Sequence, residues 1–272
     1  MKRELKDAAN AVEDASNSRV LVIAARAGFA VSGLLHLLIG FVAIQLALGK
    51  AGQADQAGAV AQLAAQPQGL LLLWAGFAAC VALALWQTSN AVFDYGQLEA
   101  RKKVGKKLSA AGKAVVFAVM ALTFAASASG NSKNSGQSTS DFTLSIMKAP
   151  GGSVLLIVIG AGIAVAGLVF VVLGVKGSFK KDLRLPSSGT GRAVVTGLGV
   201  VGYVAEGVAL FLVGLLFIIA TANARPQEST GLDGGLKALR EQPYGFYMLT
   251  AVGAGLICYG LYLMVKAKFA RM

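Results

Sequence analysis

Apolar residues in this chain come in long, nearly unbroken stretches instead of alternating with polar ones. The stretches run from about Val20 to Leu48, Gly69 to Asn90, Ala114 to Ala128, Ser153 to Val175, Val194 to Ala220 and Gly245 to Val265. At about 1.5 Å of rise per residue, a helix over the first is long enough to cross the hydrocarbon core of a bilayer. The pattern predicts an all-α membrane protein with six transmembrane helices. The third stretch is the shortest, and an earlier start near Leu108 requires its lysines to reach toward headgroups. The segment from Gly130 to Asp141 is poor in apolar residues and reads as a flexible loop.

The pattern repeats. Gly28–Gly40 reads GFAVSGLLHLLIG and Gly202–Gly214 reads GYVAEGVALFLVG, 174 positions later, with glycines at the same three places. Pro67-Gln68-Gly69 matches Pro243-Tyr244-Gly245 at an offset of 176, and Pro150-Gly151-Gly152 supplies a third copy. A large apolar residue (Leu63, Ile146, Leu239) stands four places before each proline. The reading is a short outer helix that proline ends, after which the chain re-enters the membrane. Each unit is then a long span, an outer segment and a second span, and two spans per unit preserve orientation. The chain divides into an N-terminal arm (1–19) and three two-span modules (20–100, 101–185, 186–272), arranged as three parallel two-helix repeats. Both a pseudo-threefold arrangement about the membrane normal and an in-line packing satisfy this pattern.

The glycines carry a packing argument. Gly33 and Gly40 are about two helical turns apart and share a face, as do Gly207 and Gly214; Gly28 and Gly202 open the two copies. Small residues let helices approach closely where lipid supplies no hydrophobic force between them.

Composition agrees with the pattern. The 272 residues are 56% apolar and only 14% charged, with a mean hydropathy of +0.66. The formal net charge of +12 lies in blocks between the spans. Placing both termini inside puts 18 Lys and Arg residues on the cytoplasmic side and 6 on the other, which is the positive-inside signature. The expected location is a bacterial inner (plasma) membrane, multi-pass, with both termini cytoplasmic. The mixed-charge first nineteen residues do not read as a cleavable signal peptide. Anionic headgroups suffice as partners for the basic blocks, and nothing in the spacing suggests a nucleic-acid groove. Cys80 and Cys258, each inside a span, read as small buried hydrophobes.

At Arg26-Ala27-Gly28, Ser32-Gly33 and Gly40, and again at Gly202-Tyr203, Glu206-Gly207 and Gly214, the chain resembles a family of bacterial membrane proteins, common in actinobacteria. The family is defined by the domain of unknown function numbered 1206. In the middle module, Gly112-Lys113-Ala114-Val115-Val116-Phe117 keeps the core phrase, without a glycine matching Gly40. The resemblance implies three tandem two-span modules and no particular activity.

Polar groups inside the spans are the candidate site. Glu206 is costly in lipid as an isolated carboxylate; it reads either as a packing or insertion feature or as a proton or ligand site. Arg26, six residues ahead of Glu206 in the repeat frame, reaches either the headgroups or Glu206. His36, the single histidine, reads as a hydrogen-bonded packing residue or a proton-transfer group. Ser32 occupies the place of Glu206 in the first module. Asn90 and Asp94, at i and i+4, form a polar ending to span two. The sequence contains no HExxH, GxSxG or paired catalytic aspartates, and no metal or cofactor is expected. Three functional classes follow. The first is a non-enzymatic scaffold or accessory subunit, partnered by another membrane protein or by itself; the second is a transporter or channel for a small solute or ion, with lipid or quinone binding between the two; an intramembrane enzyme is the third.

Overall fold

The computed structural model describes residues 19–93, 100–131, 135–183 and 189–270. Nine α-helices occupy the described residues. They are α1 (Arg19–Ala47), α2 (Gln56–Ala64), α3 (Gly69–Phe93), α4 (Ala100–Ala128), α5 (Ser135–Met147), α6 (Gly152–Lys176), α7 (Gly189–Ala222), α8 (Gly231–Arg240) and α9 (Gly245–Phe269). Short 3-10 turns at Ser178–Asp182 and Pro226–Glu228 join them. Six of these helices are long and apolar enough to cross a membrane, over Arg26–Ala47, Gly69–Ser89, Ala110–Ala128, Gly152–Lys176, Gly189–Ala222 and Gly245–Phe269. The third span is therefore longer than its apolar core suggests, because the lysine-bearing residues before Ala114 continue the same helix. A second expectation needs correction. Ser135–Asp141, read as loop, is the first part of helix α5; its serines and threonines return their hydroxyls to backbone carbonyls, as Thr139 does to Ser135 (2.7 Å) and Ser145 to Asp141 (2.8 Å). Residues 1–18 of the N-terminal arm lie outside the described residues, and Arg19 opens α1.

Two endings recur three times each. The first long helix of each set closes on a left-handed residue: Gly49 (φ 87°), Gly130 (φ 72°) and Ala224 (φ 53°). The following N–H reaches back to a carbonyl five residues earlier, Lys50 to Gln45 (2.9 Å), Asn131 to Ala126 (2.8 Å) and Arg225 to Ala220 (2.8 Å). This is the Schellman ending, which satisfies carbonyls that the helix itself leaves open. The second recurrence follows each short helix, as the proline pattern predicts. Gly69, Gly152 and Gly245 donate to the carbonyls of Gln66, Ala149 and Gln242 at 2.8, 2.9 and 2.8 Å. The turn is so tight that a Cβ on any of the three would collide with a carbonyl oxygen of the preceding helix. Glycine is demanded there by close approach.

The described residues form two compact units, one drawn from 19–31 and 63–131, the other from 32–62 and 135–270. In the first, α3 packs along α4. Its core holds Leu73, Cys80, Ala110, Ala114, Ala121 and Phe124, and a Cβ at Gly76 would come within 2.8 Å of the Phe124 ring.

In the second unit α7 packs on α6 and α9, and the contacts are backbone to backbone at glycine. A Cβ at Gly33 would lie 2.8 Å from the Gly260 carbonyl oxygen, and one at Gly40 2.6 Å from that of Gly253. On α7, a Cβ at Gly207 would lie 2.6 Å from the Gly167 carbonyl oxygen. One at Gly202 would lie 2.6 Å from the Cα of Tyr259, and Gly214 faces Gly160 and Ala164 in the same way. Glycines on both sides of each seam remove the atoms that would hold the helices apart. The tightest seams thus join α1 with α9 and α7 with α6.

The seams predict a sharp contrast among glycine substitutions. Gly40→Ala and Gly207→Ala are expected to lower stability by about 1–3 kcal/mol through overpacking. Gly162→Ala, on a surface with nothing within 4 Å, is expected to be neutral or to stabilise by up to about 1 kcal/mol. Unfolding titrations in mixed detergent micelles measure both.

Candidate functional site

His36 lies one turn after Gly33 and one turn before Gly40, so the seam with α9 grips its helix on both sides. The side chain is buried. Its Nδ1 is 2.7 Å from the carbonyl oxygen of Ser32. A carbonyl only accepts, so Nδ1 carries a hydrogen and donates it. Nε2 is thereby left facing Glu206 on α7, 3.4 Å from Oε2. Tyr259 of α9 meets the imidazole edge-on, with ring centroids 5.0 Å apart. With Nδ1 committed, one proton shared between Nε2 and Oε2 would balance the pair: on oxygen both groups are neutral, and on nitrogen they are an imidazolium and a carboxylate. Either way the pair is neutral overall, which is the condition for keeping a titratable group in lipid.

An aromatic cluster continues from this pair. Tyr259 meets Tyr203 at 5.3 Å, and Tyr203 stacks on Phe170 (5.4 Å) and Phe179 (5.2 Å), with Tyr262 edge-on to Tyr203 and Phe179.

Of the sequence-predicted residues, His36 and Glu206 are brought together. Ser32 joins them through its backbone carbonyl. Arg26 is exposed on α1, and His36 is the partner of Glu206. Asn90 lies near the end of α3, and Asp94 falls outside the described residues. Gly33, Gly40, Gly202, Gly207 and Gly214 are all buried at the seams, and Gly28 approaches Leu83. Cys80 is buried and Cys258 partly so. Among the described residues no group of three or more His, Cys, Asp and Glu side chains is placed to hold a metal.

The sequence reading passed over a second polar cluster, at the end of the unit where the short helices lie. Asp55 is buried and caps α2, accepting from the Gly58 N–H at 2.8 Å. Its other oxygen accepts from Gln53 (3.1 Å) and from the Ser135 hydroxyl of α5. Asp233, in the first turn of α8, accepts from the Ala54 N–H (2.8 Å) and pairs with Lys237 (2.5 Å). Thr143 of α5 and Ser229, both fully buried, share a hydrogen bond of 2.8 Å. Each short helix is weak alone, and these bonds tie the three together. The signal available was an aspartate directly before a helical run at Asp55, an N-cap pattern.

Three substitutions separate the two clusters. Glu206→Gln keeps a donor for Nε2 and is expected to leave folded yield near wild type. His36→Ala leaves the half-buried Glu206 carboxyl without its partner and is expected to cost about 1–3 kcal/mol. Asp233→Ala strands the Ala54 N–H and Lys237 and is expected to cost about 1–3 kcal/mol. Folded yield and unfolding midpoint in detergent read all three.

Comparison with known proteins supplies a lineage. A curated relative, the uncharacterized protein YxxB of Bacillus subtilis (strain 168), is 26% identical over 249 residues, covering 91% of this chain and 90% of the relative. No solved structure matches. The model of the Domain of Unknown Function (DUF1206) matches three times in tandem, over residues 27–94, 108–177 and 201–270. The chain is a multi-pass membrane protein with an internal repeat, and it belongs to the DUF1206 family.

Proposed function

We propose that this protein is a non-enzymatic scaffold or accessory subunit of a bacterial plasma-membrane complex. It is built as three like-oriented two-span modules, with both termini cytoplasmic and the basic blocks on anionic headgroups. The observation that carries this reading is the interlocking of backbones at Gly33–Gly260, Gly40–Gly253, Gly207–Gly167 and Gly214–Gly160. Seams without side-chain cushioning resist sliding, which suits a rigid platform better than a protein that rocks between two states. The hydrogen-bonded short helices brace the same unit at one end. Its exposed apolar surface, such as Val158, Val165, Leu168 and Val169 of α6, is available to lipid, to another membrane protein or to a second copy.

A specific observation favours a second reading, transport of a small solute or ion. His36 and Glu206 converge inside the spans, and an intramembrane ionisable pair is a common device for proton-coupled movement. The two readings separate in proteoliposomes loaded with a pH-sensitive dye. The scaffold reading expects wild-type and Glu206→Gln vesicles to equilibrate protons and a broad solute set at the rate of empty vesicles. Flux above that baseline in wild type, abolished by Glu206→Gln at equal protein abundance, would establish transport in its place.

A further inference from the structure

Where the chain leaves α1 and turns toward α2, the last turn of α8 faces it across an open cleft of about 550 Å3. That volume lies within the usual range of small-ligand sites, about 300–1,000 Å3. Buried Leu46 and the segment from Gly49 to Gly52 form one wall, and Lys237, Arg240 and Glu241 form the other. Both walls belong to the second unit, and both are anchored. Gly52 lies so close to α1 that a Cβ on it would come within 2.8 Å of Val42 Cγ1. Buried Asp233 ties the walls together, accepting from the Ala54 N–H (2.8 Å) on one side and pairing with Lys237 on the other. The Arg240 guanidinium reaches across to Gly49, where a Cβ would stand 3.5 Å from its Nη2.

The charge in this cleft is unusual for its place. The loops opposite the chain termini hold six Lys and Arg residues, Lys50, Lys133, Lys148, Arg225, Lys237 and Arg240. Three of the six line this one cleft, brought together from segments far apart in sequence. Asp233 occupies Lys237, but Lys50 and Arg240 make no ion pair among the described residues. The cleft also stands at a span boundary: the apolar stretch of α1 ends at Ala47 and that of α9 begins at Gly245. Leu48 and Tyr244 beside it are exposed, an apolar and an amphipathic side chain that suit the headgroup level.

We propose that this cleft binds the phosphate of an anionic phospholipid headgroup, held by Arg240 and Lys50. A guanidinium offers phosphate oxygens a fixed fork of donors, and an ammonium adds a point charge. With Lys237 neutralised by Asp233, the lining keeps two cations against the single carboxylate of Glu241. A headgroup of net negative charge is therefore preferred over one that carries its own ammonium. The site requires neither a partner protein nor transport, so it goes beyond the scaffold reading. Lys50 and Arg240 also stand at helix C-termini, where a cation is favoured with no ligand at all; that role by itself predicts no dependence on lipid.

Native mass spectrometry of the full-length protein, titrated with phosphatidylglycerol or phosphatidylcholine, tests the assignment. The basic blocks at the other ends of the spans attract anionic lipid too, so the readout is the difference between variants. Wild type is expected to retain phosphatidylglycerol over phosphatidylcholine, and Lys50→Gln and Arg240→Gln each to lose one bound phosphatidylglycerol per chain or to hold it about tenfold more weakly. Lys148→Gln, on the same side but outside the cleft, is expected to match wild type, and Glu241→Gln to bind more tightly. Arg240→Lys, which keeps the charge and loses the fork, is expected to fall between and serves if the glutamine variants do not fold. Lipid retention in both cleft variants equal to that of Lys148→Gln would overturn the proposal. So would a drop in melting temperature of the cleft variants that is the same with and without phosphatidylglycerol, which would leave the two cations as helix-end groups only. Calorimetry in a neutral detergent that showed glycerol 1-phosphate binding as tightly as phosphatidylglycerol would overturn it as well, by moving the source of the phosphate from lipid to solution.

Discussion

The contact on which the second unit depends is a helix backbone lying against a helix backbone, with hydrogen where side chains would be. In water such an approach would gain little over a leucine interface. In lipid, surrounding tails offer leucine everything that another helix would offer, and association rests on close van der Waals packing and on the weak Cα–H···O contacts that short separations allow. Gly33 with Gly260 and Gly40 with Gly253 set the register of α1 on α9, while Gly207 with Gly167 and Gly214 with Gly160 set α7 on α6. Gly202 then seats α7 against Tyr259 of α9. The ionisable pair inside the spans and the ring beside it lie at these points. His36 is between Gly33 and Gly40, Glu206 is next to Gly207, and Tyr259 is next to Gly260.

The ends of the helices obey a different physics. Where the chain leaves a span it meets polar surroundings, and its open carbonyls are closed by left-handed residues and N–H groups of the next turn. The short helices then bury aspartates instead of apolar surface. Asp55 and Asp233 are both nearly inaccessible and both fully employed. A carboxylate saturated by N–H groups and an ammonium is tolerable when buried, whereas one short of partners is not. The apolar seams and the polar cluster are thus complementary: one sets helix register in the interior, the other joins the connecting segments.

How much of this the sequence disclosed follows from which interactions are local. The six spans were legible because span length and apolarity are summed over a window, and the proline turns because Pro and Gly act on their own backbone. The glycine faces were legible as faces, from a spacing of about two turns. Their partners were not: that Gly40 meets Gly253 depends on helices far apart in sequence. The same holds for the polar groups. His36 and Glu206 each stood out as anomalies in lipid, but their meeting depends on the register of distant helices, which the seams supply. Helix α5 was misread because its serines and threonines resemble loop in isolation; their backbone bonds and the anchoring of Ser135, Ser140 and Thr143 by distant residues override that propensity.

The repeat explains why one polar pair suffices. Gly33 and Gly207, and Gly40 and Gly214, are equivalent positions, 174 residues apart, and each makes the same kind of seam with a second-type span. The backbone framework is therefore repetitive. The polar groups are not: Glu206 has Ser32 as its equivalent, and His36 has Leu210. If both copies carried both groups, the framework would bury two carboxylates and two imidazoles, and satisfying the second pair would need a second close junction of the α1–α7 kind. An asymmetric distribution of polar residues on a repetitive glycine framework lets His36 and Glu206 partner each other and leaves the equivalent position Leu210 apolar.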